Sequence, residues 1–230
     1  MSNGDNIIGP KVTQGSDKKF HDFPRPTLAV DTALLTVDVE RRQLLVVELE
    51  REDTGKWALP GTFVRERETL AEAVQRCLKE KLGVHGVRPR QLHVFDDPDR
   101  DHRDWVISVA HVAVVRPEQI ASLGTGKASS TRLAPVDRPG ELAWDHPGIV
   151  RLAKEYVRSR YEVEADPERI LGPRFTLSEL QRVHEAVIGD EIDRFAFRRS
   201  MKDLLVPTEA MNEHTGGRPA KLFRRKTDRG

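Results

Sequence analysis

Residues 59–84 read LPGTFVRERETLAEAVQRCLKEKLGV. Leu59-Pro60-Gly61 ends a strand with a breaker pair, and Thr69-x-x-Glu72 has the form of a capping box at a helix start. From there Leu70, Ala73, Val74, Cys77 and Leu78 recur at i, i+3, i+4, i+7 and i+8, the period of one buried helix face. Gly83 ends the helix, as glycine does where the chain must turn left-handed.

This loop and helix resemble the Nudix box: Gly, five residues, Glu, seven residues, then Arg-Glu-apolar-x-Glu-Glu-x-Gly-apolar. Glu68, Arg76, Leu78, Glu80, Gly83 and Val84 fit it. Thr62 stands where the first Gly belongs, Cys77 where the first helix Glu belongs, and Lys81 where the last Glu belongs. The resemblance implies that carboxylates at 77 and 81, one helical turn apart, would converge on Mg²⁺. Mg²⁺ requires hard oxygen ligands, a thiol is a poor substitute, and an ammonium repels the ion. The expectation is a Nudix fold that has lost its hydrolase and kept its ligand pocket.

Outward from the box, the N-terminal side holds two strands, Thr27 to Val37 and Gln43 to Leu49, joined by a polar connection at Asp38 to Arg42. They predict a β-hairpin whose second strand is buried. On the C-terminal side Gln91 to Phe95 and Trp105 to Val115 predict two more strands. Between them lies the Asp- and Arg-dense loop Asp96 to Arg103; its spacing fits neither an EF-hand nor a zinc site, and turns with Asp–Arg pairing explain it more simply. Strands before and after one long helix suit a mixed sheet with packed helices. Gly124 to Thr131 reads as a loop. Ile149, Leu152, Ala153, Tyr156 and Val157 then mark a helix that Asp145 can cap and whose first turn holds Pro147. His146, at its start, reads as a capping or packing residue.

The 230 residues are 37% hydrophobic and 33% charged, enough for one large or two small domains. No stretch has the roughly 20 apolar residues of a membrane span, and the N-terminus carries no apolar signal region, so we expect a cytoplasmic protein. The single cysteine, Cys77, excludes an internal disulfide framework and reads as a core filler. The net charge of +1 hides an asymmetry: from Arg194 onward ten basic residues face four acidic ones, against 28 and 33 before it. A basic end on an acidic body points to an anionic partner.

The second half explains that end. Thr176-x-x-Glu179 is another capping box, with Leu177, Leu180, His184 and Val187 on one helix face; His184 reads as a core histidine. Gly189-Asp190 turns the chain. Asp193 caps a helix to about Leu205, with Phe197, Met201 and Leu204 on one side and Arg194, Arg198, Arg199 and Lys202 on the other. That order is a helix-turn-helix. Leu205 to Thr208 and Arg218 to Arg224 then form a ribbon, in which we expect Ala220 and Leu222 to face inward and Lys221 and Phe223 outward. A ribbon in this place is a wing, and the ordered combination points to DNA binding. The domains expected are a disordered arm over 1–22 (Lys11, Lys18 and Lys19 within it), a Nudix-like domain over 23–145, a winged helix-turn-helix over 146–226, and a tail over 227–230.

KWALPG at Lys56–Gly61, DDPDRDHRDWVISVAHVAVV at Asp96–Val115, FTLSELQRVHEAV at Phe175–Val187 and GRPAKLFR at Gly217–Arg224 complete the pattern. With these segments the chain resembles the Nudix-related transcriptional regulators (NrtR family) of bacterial NAD metabolism. The resemblance implies a Nudix domain that senses ADP-ribose or a related nucleotide, a winged helix-turn-helix, a homodimer on a palindromic operator, and release of DNA by the ligand. No cofactor is implied beyond that effector.

On this reading Arg194, Arg198, Arg199 and Lys202 meet the major groove, and Arg218 and Lys221 meet backbone or minor groove. Phe63, Arg65, Arg76 and Glu80, flanked by Trp57 and Arg103, are the ligand candidates: arginines pair with a pyrophosphate and an aromatic stacks on adenine. Core packing for Trp57 and an ion pair within the box for Arg76 are equally good readings. The rival function is an active Mg²⁺-dependent ADP-ribose pyrophosphatase regulated by its C-terminal module. An RNA-binding scaffold lacks any RNA-reading aromatic motif.

Overall fold

Alternating and consecutive Val and Leu residues make Thr27–Asp38 (β1) and Gln43–Glu50 (β2) the expected antiparallel hairpin, with Leu35 opposite Val46 and Val37 opposite Leu44. The computed structural model describes residues 23–120, 123, 130–212 and 219–226. The expected arm over 1–22 with Lys11, Lys18 and Lys19, most of the 124–131 loop, Arg218 and the 227–230 tail lie outside the described residues.

The chain continues through Trp57–Ala58 (β3), Gly61–Phe63 (β4), Leu70–Leu82 (α1), Arg90–Phe95 (β5), Val106–Val114 (β6), Pro117–Ile120 (α2) and Thr131–Pro135 (β7). Among the described residues the sheet runs β3-β2-β1-β6-β5, with β4 added on β1 and β7 on β2. β1 and β6 are parallel and the other pairs antiparallel, so the sheet is mixed as the strand order predicted. β7 was not anticipated, because it is half-exposed and ends in Pro135, with no alternation to mark it.

α1 has both halves of its capping box, Thr69 accepting from Glu72 N and Glu72 accepting from Thr69 N, and closes on Gly83 at φ 72°. Ala73, Val74, Cys77, Leu78 and Leu82 are buried under one face of the sheet, and burying a leucine there is worth about 1.5–3 kcal/mol. The other face is covered by His146–Val163 (α3), through Ile149, Val150, Ala153, Val157 and Tyr161. The Asp145 carboxylate does not cap α3 as expected. Arg100 holds it instead through two bonds of 2.7 Å, and a two-point charge-assisted pair outweighs a single cap bond.

The remaining elements are Phe175–Thr176 (β8), Leu177–Ile188 (α4), Arg194–Met201 (α5), Leu205–Met211 (β9) and Lys221–Arg225 (β10). β8, β10 and β9 form a small antiparallel sheet, and α4 and α5 pack on it through Leu180, Phe197 and Met201. α4 has a second buried face: Val183, Ala186 and Val187 join the same core as α3, β1 and β2. The expected boundary at residues 145–146 therefore falls at the start of a helix that lies on the first sheet.

The expected wing alternation is corrected. Phe223 packs into the winged core with Phe175 and Leu205, and Arg225 is buried. A register shift between Lys221 and Phe223 moves the strand by one position, so strict alternation across it fails. The Arg225 guanidinium pairs with Asp166 and donates to Leu171 O at 2.9 Å and Gly172 O at 3.1 Å. Asp166 also accepts from the Tyr161 hydroxyl at 3.1 Å and from the Ile170 and Leu171 amides at 2.9 Å each. This cation of the basic end is thus spent inside the fold.

Candidate ligand cavity and nucleic-acid interface

A cavity of about 600 Å³ opens between β1, the β3–β4 strands, the C-terminal half of α1 and the 100–103 loop, a volume suited to a small-molecule ligand. Its floor is Asp31, a carboxylate set into the apolar run of β1. Ser108 Oγ donates to Asp31 at 2.6 Å, and Arg100 and His146 Nε2 each stand 3.5 Å from it. His146 Nδ1 accepts from Leu59 N at 2.9 Å, which places the ring proton on Nε2, toward Asp31. Burial pushes the Asp31 carboxyl up, but His146, Ser108 and Arg100 outweigh it and hold it at about 2. Gly61 is required beside it: a Cβ there would meet Asp31 Oδ1 at 2.0 Å.

The mouth is built on Trp144, which takes a left-handed φ of 54°. Its ring has the Arg51 guanidinium at 4.5 Å and that of Arg103 at 5.0 Å. Both arginines are also paired, Arg51 with Asp53 and Arg103 with Asp101 at 2.6 Å. The Asp-rich loop is therefore organised by Asp–Arg pairs and turns, including Asp99 N donating to Asp97 at 2.9 Å.

The box residues divide. Arg76 turns away from the cavity: it pairs with Glu68 at 2.6 Å and donates to Phe63 O at 2.9 Å. Arg76, then the Arg65 amide, hold the Glu68 carboxyl at about 2. Burial pushes the Cys77 thiol up to about 11, so it is protonated at neutral pH. Lys81 lines the cavity and donates to Gly61 O at 2.6 Å.

Of the six ligand candidates, Phe63, Glu80 and Arg103 line the cavity. Trp57, Arg65 and Arg76 do not: Trp57 lies under the Arg132 guanidinium at 3.9 Å, and Arg65 stands 3.8 Å from Glu80. Asp31, Arg51, Arg100, Trp144 and His146 were missed as site residues. The signal for Asp31 was present, since a lone carboxylate interrupts the apolar run of β1. Arg51, Arg100 and Trp144 come from loops and His146 from the first turn of α3, read from the sequence as a capping or packing residue; nothing local shows that these segments converge on Asp31.

On the second module Arg194, Arg198, Arg199 and Lys202 are exposed, opposite the buried Phe197 and Met201. Phe195 is 82% exposed, and at about 100° per residue it falls inside the same arc as the four cations. Charge counting missed it because it is apolar. Lys221 is exposed on β10, and Arg218 lies outside the described residues.

The NUDIX domain profile matches residues 27–154, and that of the NrtR DNA-binding winged helix domain matches residues 168–225. The crystal structure of Shewanella oneidensis NrtR complexed with a 27mer DNA is 33% identical, covers 86% of this chain and 93% of its own, and superposes with a TM-score of 0.69. The chain belongs to the NrtR family. A structure of the NUDIX domain of that Shewanella NrtR with ADP ribose is 30% identical over 61% of this chain and 94% of its own, with a TM-score of 0.50. An ADPR responsive transcriptional repressor, NtrR, from Acinetobacter baylyi is 29% identical over 88% of this chain and 83% of its own. An ADP-ribose pyrophosphatase from Methanocaldococcus jannaschii is 31% identical over 61% of this chain and 79% of its own. The N-terminal Nudix fold and C-terminal winged helix expected from the sequence are thus those of the NrtR family. No helix among the described residues is long and apolar enough to cross a membrane.

Proposed function

We propose that this NrtR-family chain is a transcriptional repressor of NAD biosynthesis or salvage genes, working in the cytoplasm. It holds double-stranded operator DNA through α5 and the β9–β10 wing, takes ADP-ribose in the cavity, and releases the DNA when ADP-ribose binds. The observation that carries this reading is α5, whose exposed arc places four cations and Phe195 on one face while the other face is buried. A palindromic operator read by a homodimer follows if two such helices sit about one turn of DNA, roughly 34 Å, apart. Release requires that ADP-ribose bind the arrangement incompatible with DNA more tightly than the DNA-bound one. A packed route between the two sites supports this. His146 on the cavity floor begins α3, and near its end Tyr161 meets His184 of α4 at 4.9 Å, which in turn meets Phe197 of α5 at 5.0 Å.

Fluorescence anisotropy on promoter duplexes, with and without ADP-ribose, tests the reading. Sequence-specific binding reversed by ADP-ribose is the expected result; absence of specific binding at moderate salt would refute it. In the Arg198→Ala/Arg199→Ala double variant operator binding should disappear while circular dichroism stays that of the parent. Similarity to the Methanocaldococcus pyrophosphatase favours a second reading, hydrolysis of ADP-ribose to AMP and ribose 5-phosphate. The protonated Cys77 thiol and the Lys81 ammonium, where the Nudix pattern has carboxylates, support a non-catalytic domain. We expect no AMP release in Mg²⁺ or Mn²⁺.

A further inference from the structure

We propose that the Lys81 ammonium is a built-in counter-ion for the ligand's pyrophosphate, so that the cavity takes a nucleoside-diphosphate sugar without a divalent cation. This rests on the ADP-ribose reading above.

Four cations line the cavity: Arg51, Lys81, Arg100 and Arg103. Each arginine is committed to a carboxylate, of Asp53, Asp145 and Asp101 respectively. Lys81, among the described residues, makes no ion pair. Its hydrogen bond runs to the neutral carbonyl of Gly61 at 2.6 Å, which fixes the half-buried head and occupies one of its three donors. Although carboxylates such as Asp31, Asp53, Glu80 and Asp101 also line the cavity, Lys81 is a positioned positive charge with donors to spare and, among the described residues, no ion pair of its own to break. An entering pyrophosphate would meet it at the cost of its own hydration, and the sheltered setting strengthens the pair.

The Mg²⁺ that a Nudix fold implies does not fit this wall. One turn before Lys81, Cys77 is a buried, protonated thiol. Glu68 is taken by Arg76 and by the Arg65 amide. Glu80 is then the one box carboxylate on the cavity, 3.8 Å from Arg65. Asp31, Asp53 and Asp101 on the same cavity are held by Ser108, Arg51 and Arg103. Among the described residues no cluster of carboxylate, imidazole or thiol groups could hold a metal. A hard octahedral ion needs converging oxygens and no ammonium beside it.

Calorimetric titration of ADP-ribose into the full chain, in EDTA and in Mg²⁺, decides it. Affinities should agree within about twofold, because no metal takes part. Lys81→Gln should lose roughly 10- to 100-fold in both buffers, the range for a charge-assisted hydrogen bond, and Lys81→Arg should keep most of the affinity; thermal melts show that the variants are folded. Wild-type binding that needs Mg²⁺, or a folded Lys81→Gln that binds as the parent does, overturns the assignment and leaves ADP-ribose as the effector. No binding by the wild-type chain in either buffer overturns the ligand reading beneath it.

Discussion

Phe195 illustrates how much one side chain can add to a charged helix. On the proposed DNA reading the four cations of α5 neutralise phosphates or pair with guanine, but an exposed phenyl ring gains nothing from either and is disfavoured in water. In the major groove an aromatic ring finds the thymine methyl, the apolar group that base edges present there. Phe195→Ala should weaken operator binding about fourfold, the equivalent of the ~0.8 kcal/mol of one buried methyl-sized group. Replacing operator thymines by deoxyuridine should cost the parent about the same and the variant almost nothing; additive losses in that cycle would remove Phe195 from the groove. The cations were legible in the sequence because charge at helical spacing is a local property. The ring was not, although the same spacing of about 100° that puts Phe197 with Met201 and Leu204 places Phe195 among the cations, because an apolar side chain on a charged arc carries no local sign of its exposure.

At the scale of elements, α4 is the piece whose periodicity said least about its role. The expected stripe of Leu177, Leu180, His184 and Val187 is there, but the helix buries two faces, Leu180 toward the wing and Val183, Ala186 and Val187 toward the first sheet. Between them sits His184, edge-on to both Tyr161 and Phe197. Burial pulls its pKa down to about 4, against the opposing pull of Asp166 and a hydrogen bond with the Tyr161 backbone. The folded state thus prefers the neutral ring. The stability this brings is complete above the ordinary pKa near 6.5 and is lost as pH falls from there toward 4. At pH 5 the loss is on the order of 2 kcal/mol. Thermal melts of the parent should therefore fall more steeply between pH 7 and pH 5 than those of His184→Phe, whatever the variant's stability at pH 7. Parallel slopes would mean that His184 does not titrate in this window.

At the scale of the whole molecule, α4 joins two cores, Val183, Ala186 and Val187 lying in that of the first sheet and Leu180 in that of the winged module with Phe197 and Met201. α3 covers the sheet that carries the cavity, α4 packs on α3, β1 and β2, and Arg42 at the β1–β2 turn pairs with Glu185 and Glu191 of the second module. A fragment beginning at residue 164 would expose Val183, Ala186 and Val187 together, and burying side chains of that size contributes about 1–3 kcal/mol each. Calorimetry should show one cooperative transition for the full chain, and the isolated 164–230 fragment should lack dispersed amide resonances. Two separable transitions would show that the modules are energetically independent, and would remove the packed route as the carrier of ligand response.

The sequence by itself determined the local events: where helices begin and end, which faces are apolar, and that positions 77 and 81 carry a thiol and an ammonium. These follow from capping chemistry and from periods of 2 and 3.6 residues, which act over a few neighbours. Only the tertiary structure decided which charges meet. Parallel pairing of β1 with β6 brings Ser108 to Asp31, the seating of α3 brings His146 and Asp145 to the same place, and the buried return of β10 carries Arg225 to Asp166. Such partners are chosen by burial, because a charge removed from water must find its counterpart wherever the chain brings one within reach. No periodicity along the sequence encodes that reach.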